Sequence, residues 1–353
     1  MTVSEVLLDP YDYDFHEDPY PYYKRLRDEA PLYHNEALGF WALSRHQDVL
    51  QGFRNSTTLS NREGVSLDPI SRGPHASKTM SFLAMDDPDH LRLRTLVSKG
   101  FTPRRIRELE PRVTELAVKH LDVMMEQAES GTVDYVTEFA GKLPMDVISE
   151  LMGVPEADRD RIRAMADGVM HREDGVTDVP AEAIEASLNL IVYYQEMVAE
   201  RRKKPTDDLT TALLEAEIDG DRLTDEEVLG FMFLMVIAGN ETTTKLLANA
   251  AFWGYKNPDQ LAPVYDDEAR IPLWVEETCG TTPPARSWPG WCPASSPCTT
   301  PRFRTATWCC CCPDRPTATS GCSRTRTTSS SGVRLARNSR VSAVAPTSAL
   351  ART

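Results

Sequence analysis

The sequence predicts a mainly α-helical fold with small β-sheets. Two long segments, Arg105–Glu129 and Ala181–Arg202, place apolar side chains at helical spacing along one face. A third begins with a capping box at Thr224–Glu227 and continues into the apolar run Gly230–Ala238. Alternation typical of a strand is short, as at Gly39–Ser44. Helices therefore dominate the predicted fold.

The ends of these helices carry local signals. Ala181–Arg202 finishes in the basic run Arg201–Lys204, and positive side chains stabilise the negative end of a helix dipole. Pro205 follows, and proline ends a helix. The helix that starts after Thr224 is expected to be buried, because the run from Gly230 to Ala238 is almost wholly apolar.

This central helix carries a polar motif directly after its apolar run, in Ala238–Thr243. A buried carboxylate without partners is costly, so Glu241 indicates a chemical role. Gly239 leaves room for a ligand beside the backbone, and the Thr242 hydroxyl can pass on a proton or bond a carbonyl one turn back. The alternative interpretation is a helix that merely reaches the surface at Asn240.

A second polar pair lies upstream, in the segment Met85–Arg94. His90 and Arg94 are one helical turn apart, hence on one face of the predicted helix. Two such side chains suit a ligand that carries a pair of carboxylates. A charged, solvated start of a helix is the alternative.

Together these segments resemble the cytochrome P450 family, in its soluble bacterial form. Ala238–Thr242 is similar to the oxygen-activating part of the family's central helix. Met85–Pro103 is similar to the segment whose helix sends a histidine and an arginine to the haem propionates. The resemblance implies contacts with haem b for four residues: His90, Arg94, Ala238 and Gly239.

The resemblance also implies catalytic roles for Glu241 and Thr242, as the relay for the protons consumed when the O–O bond is cleaved. The implied partners are a small organic substrate, O₂ and a ferredoxin-type electron donor. The region from Met165 to Ala186 would roof the substrate pocket, with Met170 and Val176 as candidate lining residues.

Three further segments agree with the same family. Pro19–Tyr33 resembles its opening helix, Gly39–Ser44 a strand of its first small sheet, and Leu143–Pro155 its helix E with the following turn. The resemblance extends from about residue 5 to residue 278, which predicts a P450-like domain over 1–278.

Beyond Thr278 the composition changes abruptly. All eight cysteines lie at or after Cys279, and the last 75 residues hold ten arginines, no lysine and a single acid, Asp314. The net charge is +9 in this tail and −23 in the preceding 278 residues. The change interrupts the sequence that follows Glu277, where the family would continue to complete a Glu-x-x-Arg motif. Residues 279–353 are predicted to have low order, being rich in Pro, Ser and Thr.

A composition that changes inside a motif indicates a shift of the reading frame. The residues from Cys279 to Thr281 can be encoded as TGC GGT ACG, and a preceding C turns these bases into CTG CGG TAC, which encodes Leu-Arg-Tyr. The segment Val341–Ala351, with one permitted choice of codons, reads one base earlier as Phe-Gly-Ser-Gly-Ala-His-Phe-Cys-Leu-Gly. That is similar to the haem-ligand loop of the P450 family, so one offset restores both motifs.

The shift of the reading frame would remove the residue that ligates iron in this family. The family binds iron through a cysteine thiolate, which favours O–O cleavage. The codon of that cysteine would straddle Ser348 and Ala349, so no metal ligand is assigned in the chain as written. We expect the C-terminal part of the fold, with the haem-ligand loop and the last helix, to be lost or scrambled. The run Cys309–Cys312 lacks the C-x₂-C spacing of a structural zinc site.

The composition of the chain limits the binding partners and the cellular compartment that we expect for it. The net charge of −14 argues against nucleic acid, although the basic residues Arg92, Arg94, Lys99, Arg104 and Arg105 could dock a redox protein or simply be solvated. The first residues contain no signal segment, and the longest apolar run is too short for a membrane span. A cytoplasmic protein without a membrane partner is expected.

Three functions remain open at this stage. The first is a P450 monooxygenase whose sequence carries a shift of one base. The second is a non-catalytic P450 remnant, which would expose apolar surface and aggregate. The third is a thiol-rich metal-binding protein that uses the tail.

Overall fold

The structure is a computed structural model that describes residues 7–56, 58–67, 72–171, 179–281, 287–292 and 306–311. Within them the helices are α1 (Tyr13–Glu17), α2 (Tyr20–Glu29), α3 (His46–Arg54), α4 (Ser77–Met80), α5 (Asp89–Ser98), α6 (Pro103–Ala128), α7 (Lys142–Met152), α8 (Arg159–Met170), α9 (Ala181–Lys203), α10 (Leu209–Glu215), α11 (Asp225–Lys256), α12 (Pro258–Asp266) and α13 (Ile271–Thr281). The prediction of a mainly helical fold is confirmed.

Six short strands form two sheets. Their bounds are β1 (Leu32–Asn35), β2 (Phe40–Leu43), β3 (Glu217–Ile218), β4 (Asp221–Arg222), β5 (Ser287–Cys292) and β6 (Ala306–Cys311). β1 and β2 are antiparallel, β2 pairs in parallel with β6, and β6 pairs antiparallel with β5. β3 and β4 form a hairpin whose turn, Asp219–Gly220, has positive φ at both positions, as a tight two-residue turn requires.

One difference from the sequence predictions concerns the opening helix. It ends at Glu29 rather than continuing to Tyr33, because Pro31 disfavours helical backbone at the residue before it, and the chain then enters β1. In the tail, Ser287–Cys292 and Ala306–Cys311 form β5 and β6, and both contain tryptophan, which favours strands. The low order predicted for residues 279–353 stays a prediction.

The main hydrophobic core surrounds the first half of α11. Residues from Val228 to Val236 pack there with side chains from α5, α7, α8, α9 and α10. Phe231, Met232 and Val236 are almost completely excluded from solvent. A second, smaller core joins α2 to β2 near the N-terminus, through Leu26 and Phe40 among others.

Buried ion pairs join the helices that flank this core. His120 of α6 lies 2.7 Å from a carboxylate oxygen of Asp146 on α7, and Arg163 of α8 donates to the other oxygen at 2.7 Å. Glu150 of α7 similarly accepts from Arg159 of α8 at 2.6 Å. Such pairs fix the relative positions of α6, α7 and α8, since removal of one partner would leave a buried charge.

Candidate active site

The central helix α11 begins as the sequence predicts. The Thr224 hydroxyl accepts from the backbone N–H of Glu227 at 3.2 Å, and the Glu227 carboxylate accepts from the N–H of Thr224 at 2.8 Å. Both unsatisfied N–H groups of the helix start therefore find acceptors. The helix is buried through Val236 and then becomes partly exposed from Glu241 onward.

Glu241 is not buried, which corrects the sequence prediction. Its side chain is 35% exposed and forms an ion pair with Lys245, one turn along the same helix, at 2.5 Å. The apolar run before Glu241 predicts continuous burial correctly only as far as Val236, since the cover over the second half of α11 depends on distant parts of the chain. The acid is thus accessible to solvent and already charge-paired.

Thr242 bonds its own helix. Its hydroxyl donates to the carbonyl oxygen of Ala238 at 2.7 Å, so the predicted bond to a carbonyl one turn back is confirmed. The lone pairs of the oxygen remain available, because a hydroxyl accepts as well as donates. Ala238 and Thr242 share one face of α11, and both are partly exposed.

Gly239 lacks a side chain for a packing reason. A Cβ atom at this position would lie 2.5 Å from Cδ1 of Ile148, so α7 crosses α11 closely here. The structure therefore gives Gly239 a protein neighbour where the sequence suggests space for a ligand. Its contact with haem or substrate stays a prediction.

His90 and Arg94 both lie on α5, on one face as predicted. The His90 side chain is 32% exposed, and its Nδ1 lies 3.3 Å from a carboxylate oxygen of Asp87. Its ring is 5.9 Å from that of Phe82, which in turn stacks on Phe231 of α11 at 6.0 Å. Phe82, which the sequence analysis did not single out, thus links the histidine to the central helix.

Arg92 anchors α5 to the start of α11. Its guanidinium donates to both carboxylate oxygens of Asp221 at 2.7 and 2.8 Å and to Glu227 at 2.6 Å. These hydrogen bonds raise the pKa of Arg92 and lower the pKa of the Asp221 carboxyl. The sequence offered no signal for this contact, because 129 residues separate Arg92 from Asp221.

The predicted basic docking patch is largely neutralised. Besides Arg92, Arg104 bonds Glu108 at 2.7 Å and Arg105 bonds Asp207 at 3.2 Å. Acidic neighbours therefore offset much of the positive charge that the sequence places around α5 and the start of α6.

A cleft opens beside the acid–hydroxyl pair. It has a volume of about 480 Å³ and lies between α11, α8 and the start of α7. Asn240, Glu241 and Thr244 of α11 line one side, and Met170, a predicted pocket residue, lines the other. Val176, the other candidate, lies outside the described residues.

The described residues fit part of a haem site. His90 and Arg94 can hold carboxylates, and the partly exposed face at Ala238 and Thr242 leaves α11 accessible. No cluster of three His, Cys, Asp or Glu side chains suited to a metal occurs in the part of the chain that the structure describes. Burial, with the charge of Glu276, raises the pKa of the Cys279 thiol and disfavours the thiolate that would bind iron. Ser348 and Ala349 lie outside the described residues.

Comparisons with known proteins agree on one family. No family model matches the chain. Cytochrome P450 123 of Mycobacterium tuberculosis is 69% identical over 282 residues, which cover 79% of this chain and 69% of that protein. Cytochrome P450 107B1 of Saccharopolyspora erythraea is 37% identical over 298 residues, with the same coverage. Among solved structures, cytochrome P450 CYP109Q5 from Chondromyces apiculatus has a TM-score of 0.73 at 30% identity, over 86% of this chain and 75% of that one.

The fold is mainly helical, with an acid–hydroxyl pair on its central helix and a histidine–arginine pair on a nearby helix. The chain belongs to the cytochrome P450 family. Members of this family are monooxygenases that carry haem. Within the described residues, no helix is both long enough and apolar enough to cross a membrane.

Proposed function

We propose that this gene encodes a haem-thiolate monooxygenase, which inserts one oxygen atom from O₂ into a small organic substrate, and that the chain as written follows a one-base shift after Thr278. The change of composition directly after Thr278, on α13, carries this proposal. The 282 residues that align with the mycobacterial relative are close in number to the 278 that precede the change, which supports it. The domain boundary then falls between 1–278 and a shifted tail, 279–353.

The described residues would perform three tasks, and a separate protein would supply the electrons. His90 and Arg94 hold the propionates of haem, which supplies oxygen activation when bound through a cysteine thiolate. Glu241 takes protons from solvent, which its partial exposure permits, and releases them toward Thr242. Thr242, whose proton is engaged by the Ala238 carbonyl, accepts a hydrogen bond at Oγ1. A ferredoxin-type protein in the cytoplasm supplies the electrons.

The test is to resequence the genomic DNA around codon 279 and to express both reading frames. With one base restored, the protein should take up haem and give the ferrous–CO absorption of a thiolate-ligated iron. The chain as written should not, since its reading frame lacks the loop with the cysteine that would ligate iron. A ferrous–CO spectrum without thiolate character in the restored protein would contradict the proposal.

The second candidate is a non-catalytic P450 remnant, which the cell would produce with the sequence as it stands. Exposed apolar side chains on the end of α11, on α12 and on α13 favour it, since such surface is normally covered in an active enzyme. An unaltered genomic frame, together with the tail peptides in a digest of the native protein, would establish this candidate. Stoichiometric zinc in that protein would instead support the thiol-rich metal-binding alternative.

A further inference from the structure

The cleft beside Glu241 is open on one side and closed at its base. Asp167 and His171 are exposed at its mouth, where α8 ends, whereas Asn240 at the base is only 8% exposed. We call this space the Asn240 cleft. Arg163, Asp167, Asn240, Glu241 and Thr244 are the lining residues on which the inference depends.

Three lining residues contain a buried polar atom that has no hydrogen-bond partner among the described residues. These atoms are Oδ1 of Asn240, Oγ1 of Thr244 and Nε of Arg163. The first is an acceptor, the third is a donor, and the hydroxyl is both. Buried polar atoms are normally paired, and water is the small ligand that satisfies donors and acceptors together.

The charged groups around the cleft differ in how they are paired. Lys142 bonds Glu138 at 2.6 Å, and Arg163 bonds Asp146 and Asp160 at 2.7 and 2.8 Å. Glu241 bonds Lys245, and His171 also has an interaction partner. Most of these charges are therefore committed to structural contacts.

Asp167 differs from these groups. Among the described residues its carboxyl has no hydrogen bond and no ion pair. Much of the residue is exposed, yet the surrounding protein removes part of the solvent from the carboxyl and raises its pKa, against the opposing effect of Arg163. A carboxyl with these properties can bind and release a proton closer to neutral pH than an ordinary aspartate.

Glu241 lies between the cleft and the Thr242 face. With about 100° of rotation per residue, Glu241 is about 60° from Thr244, which lines the cleft, and about 100° from Thr242. A rotation of the Glu241 side chain away from Lys245 can therefore transfer a proton from one face of α11 to the other.

We propose that the Asn240 cleft is a water-filled inlet through which solvent protons reach Glu241, with Asp167 as the carboxyl at its mouth. A proton leaves Asp167 to a water in the cleft, that water passes a proton to the Glu241 carboxylate, and Asp167 regains one from bulk water. Asn240 and Thr244 hold the water at the base. This inference rests on the monooxygenase function proposed above.

The first experiment uses the haem-loaded protein expressed with the restored reading frame, and compares Asp167→Asn with Asp160→Asn. Asp160 is the matched control, because it lies on the same helix, is also a carboxylate near Arg163, and is 92% exposed outside the cleft. The rate of electron-donor consumption is measured against pH, in H₂O and in D₂O. Asp167→Asn should slow it by at least about ten-fold at alkaline pH and change the solvent isotope effect, whereas Asp160→Asn should change neither.

Identical pH profiles for the two variants would contradict the proposal that the Asn240 cleft is a proton inlet. The ferrous–CO spectrum of the unsubstituted protein tests the monooxygenase function separately, since that spectrum does not depend on proton supply. Thus a thiolate spectrum together with identical profiles rejects only the inlet.

The second experiment tests the water, and needs no activity. Thr244→Val has nearly the same shape but lacks the hydroxyl. If water bonds that hydroxyl, the variant should unfold at a lower temperature than the parent protein, since a hydrogen bond is lost. If the base of the cleft is dry, removal of an unpaired buried hydroxyl should raise the unfolding temperature, and that result would overturn the proposal.

Discussion

Thr242 illustrates how one side chain can serve both the helix and the proposed chemistry. Its proton is directed to the Ala238 carbonyl, which leaves the oxygen as an acceptor on the partly exposed face of α11. Replacement by alanine removes that acceptor together with the hydrogen bond to Ala238.

In the protein with the restored frame, Thr242→Ala should uncouple electron uptake from product formation and release more hydrogen peroxide per electron pair. The physical reason is the loss of a hydrogen bond near the site of O–O cleavage. Peroxide yield against donor consumption measures this effect. Thr243→Ala, one position along the helix, is the control, and equal uncoupling in both variants would remove the assigned role.

Two adjacent tyrosines on α9 give a second test at this scale. The Tyr193 hydroxyl bonds Asp158 at 2.9 Å, whereas the Tyr194 hydroxyl is buried and has no partner in the part of the chain that the structure describes. Tyr193→Phe should lower the free energy of unfolding by about 1 kcal/mol, and Tyr194→Phe should leave it unchanged or raise it. Chemical denaturation of the two variants measures both changes in the free energy of unfolding. A larger loss for Tyr194→Phe would indicate an undetected partner.

At the scale of elements, the crossing of α7 and α11 depends on Gly239. A Cβ atom there would meet Cδ1 of Ile148, which is itself only 5% exposed. We expect Gly239→Ala to destabilise the protein, because the overpacking of about 1–3 kcal/mol outweighs the helix preference of alanine, about 1 kcal/mol.

In an Ile148→Val background, which removes Cδ1, the same substitution at Gly239 should become stabilising by up to about 1 kcal/mol. Denaturation of the four proteins of this double-mutant cycle measures the coupling. Additive changes in the free energy of unfolding would indicate that the side chain of Ile148 does not restrict the substitution at Gly239.

The contact of α5 with the start of α11 predicts a pH dependence. The hydrogen bonds from Arg92 lower the pKa of the Asp221 carboxyl, so their stabilisation is complete above the ordinary aspartate pKa of about 3.9 and is lost as the pH falls through the lowered value. Arg92→Gln should therefore destabilise the protein at neutral pH, with a difference that shrinks on acidification below about pH 4.

Arg104→Gln is the matched control for this experiment, since Arg104 forms its ion pair with Glu108 on its own exposed helix surface. Its effect on the free energy of unfolding should be small at every pH, because exposed ion pairs contribute little. A loss of stability in Arg92→Gln that does not vary with pH would indicate that Arg92 stabilises the protein through packing rather than through the ion pair.

At the scale of the whole molecule, apolar side chains are exposed where the chain approaches the change of composition. Tyr255 and Tyr265 are 82% and 80% exposed, and Phe252, Ile271 and Leu273 are about half exposed. A patch of this kind promotes association when no further part of the protein covers it.

We therefore expect the chain as written to bind an apolar fluorescent dye and to self-associate, whereas the protein with the restored frame binds less dye and elutes as one species. Tyr255→Ser and Tyr265→Ser in the chain as written should reduce association. Equal dye binding and equal elution of the two reading frames would contradict this expectation.

Local sequence determined most of the helices. Some signals involve only residues that are close together in the sequence, and these can be recognised from the sequence alone. They include the capping box at Thr224, the basic end of α9 and the apolar run of α11. The bond from Thr242 to Ala238 is of the same kind, since its partners lie one turn apart.

Only the tertiary structure decided the surroundings of the site. The exposure of Glu241, the closeness of Ile148 to Gly239, the partners of Arg92 and the cleft at Asn240 each depend on segments far apart in the chain. Helical periodicity shows which face is apolar, but not which distant helix covers it or leaves it open. Motifs and helix ends follow from neighbours in sequence, whereas burial and ion pairing follow from neighbours in space.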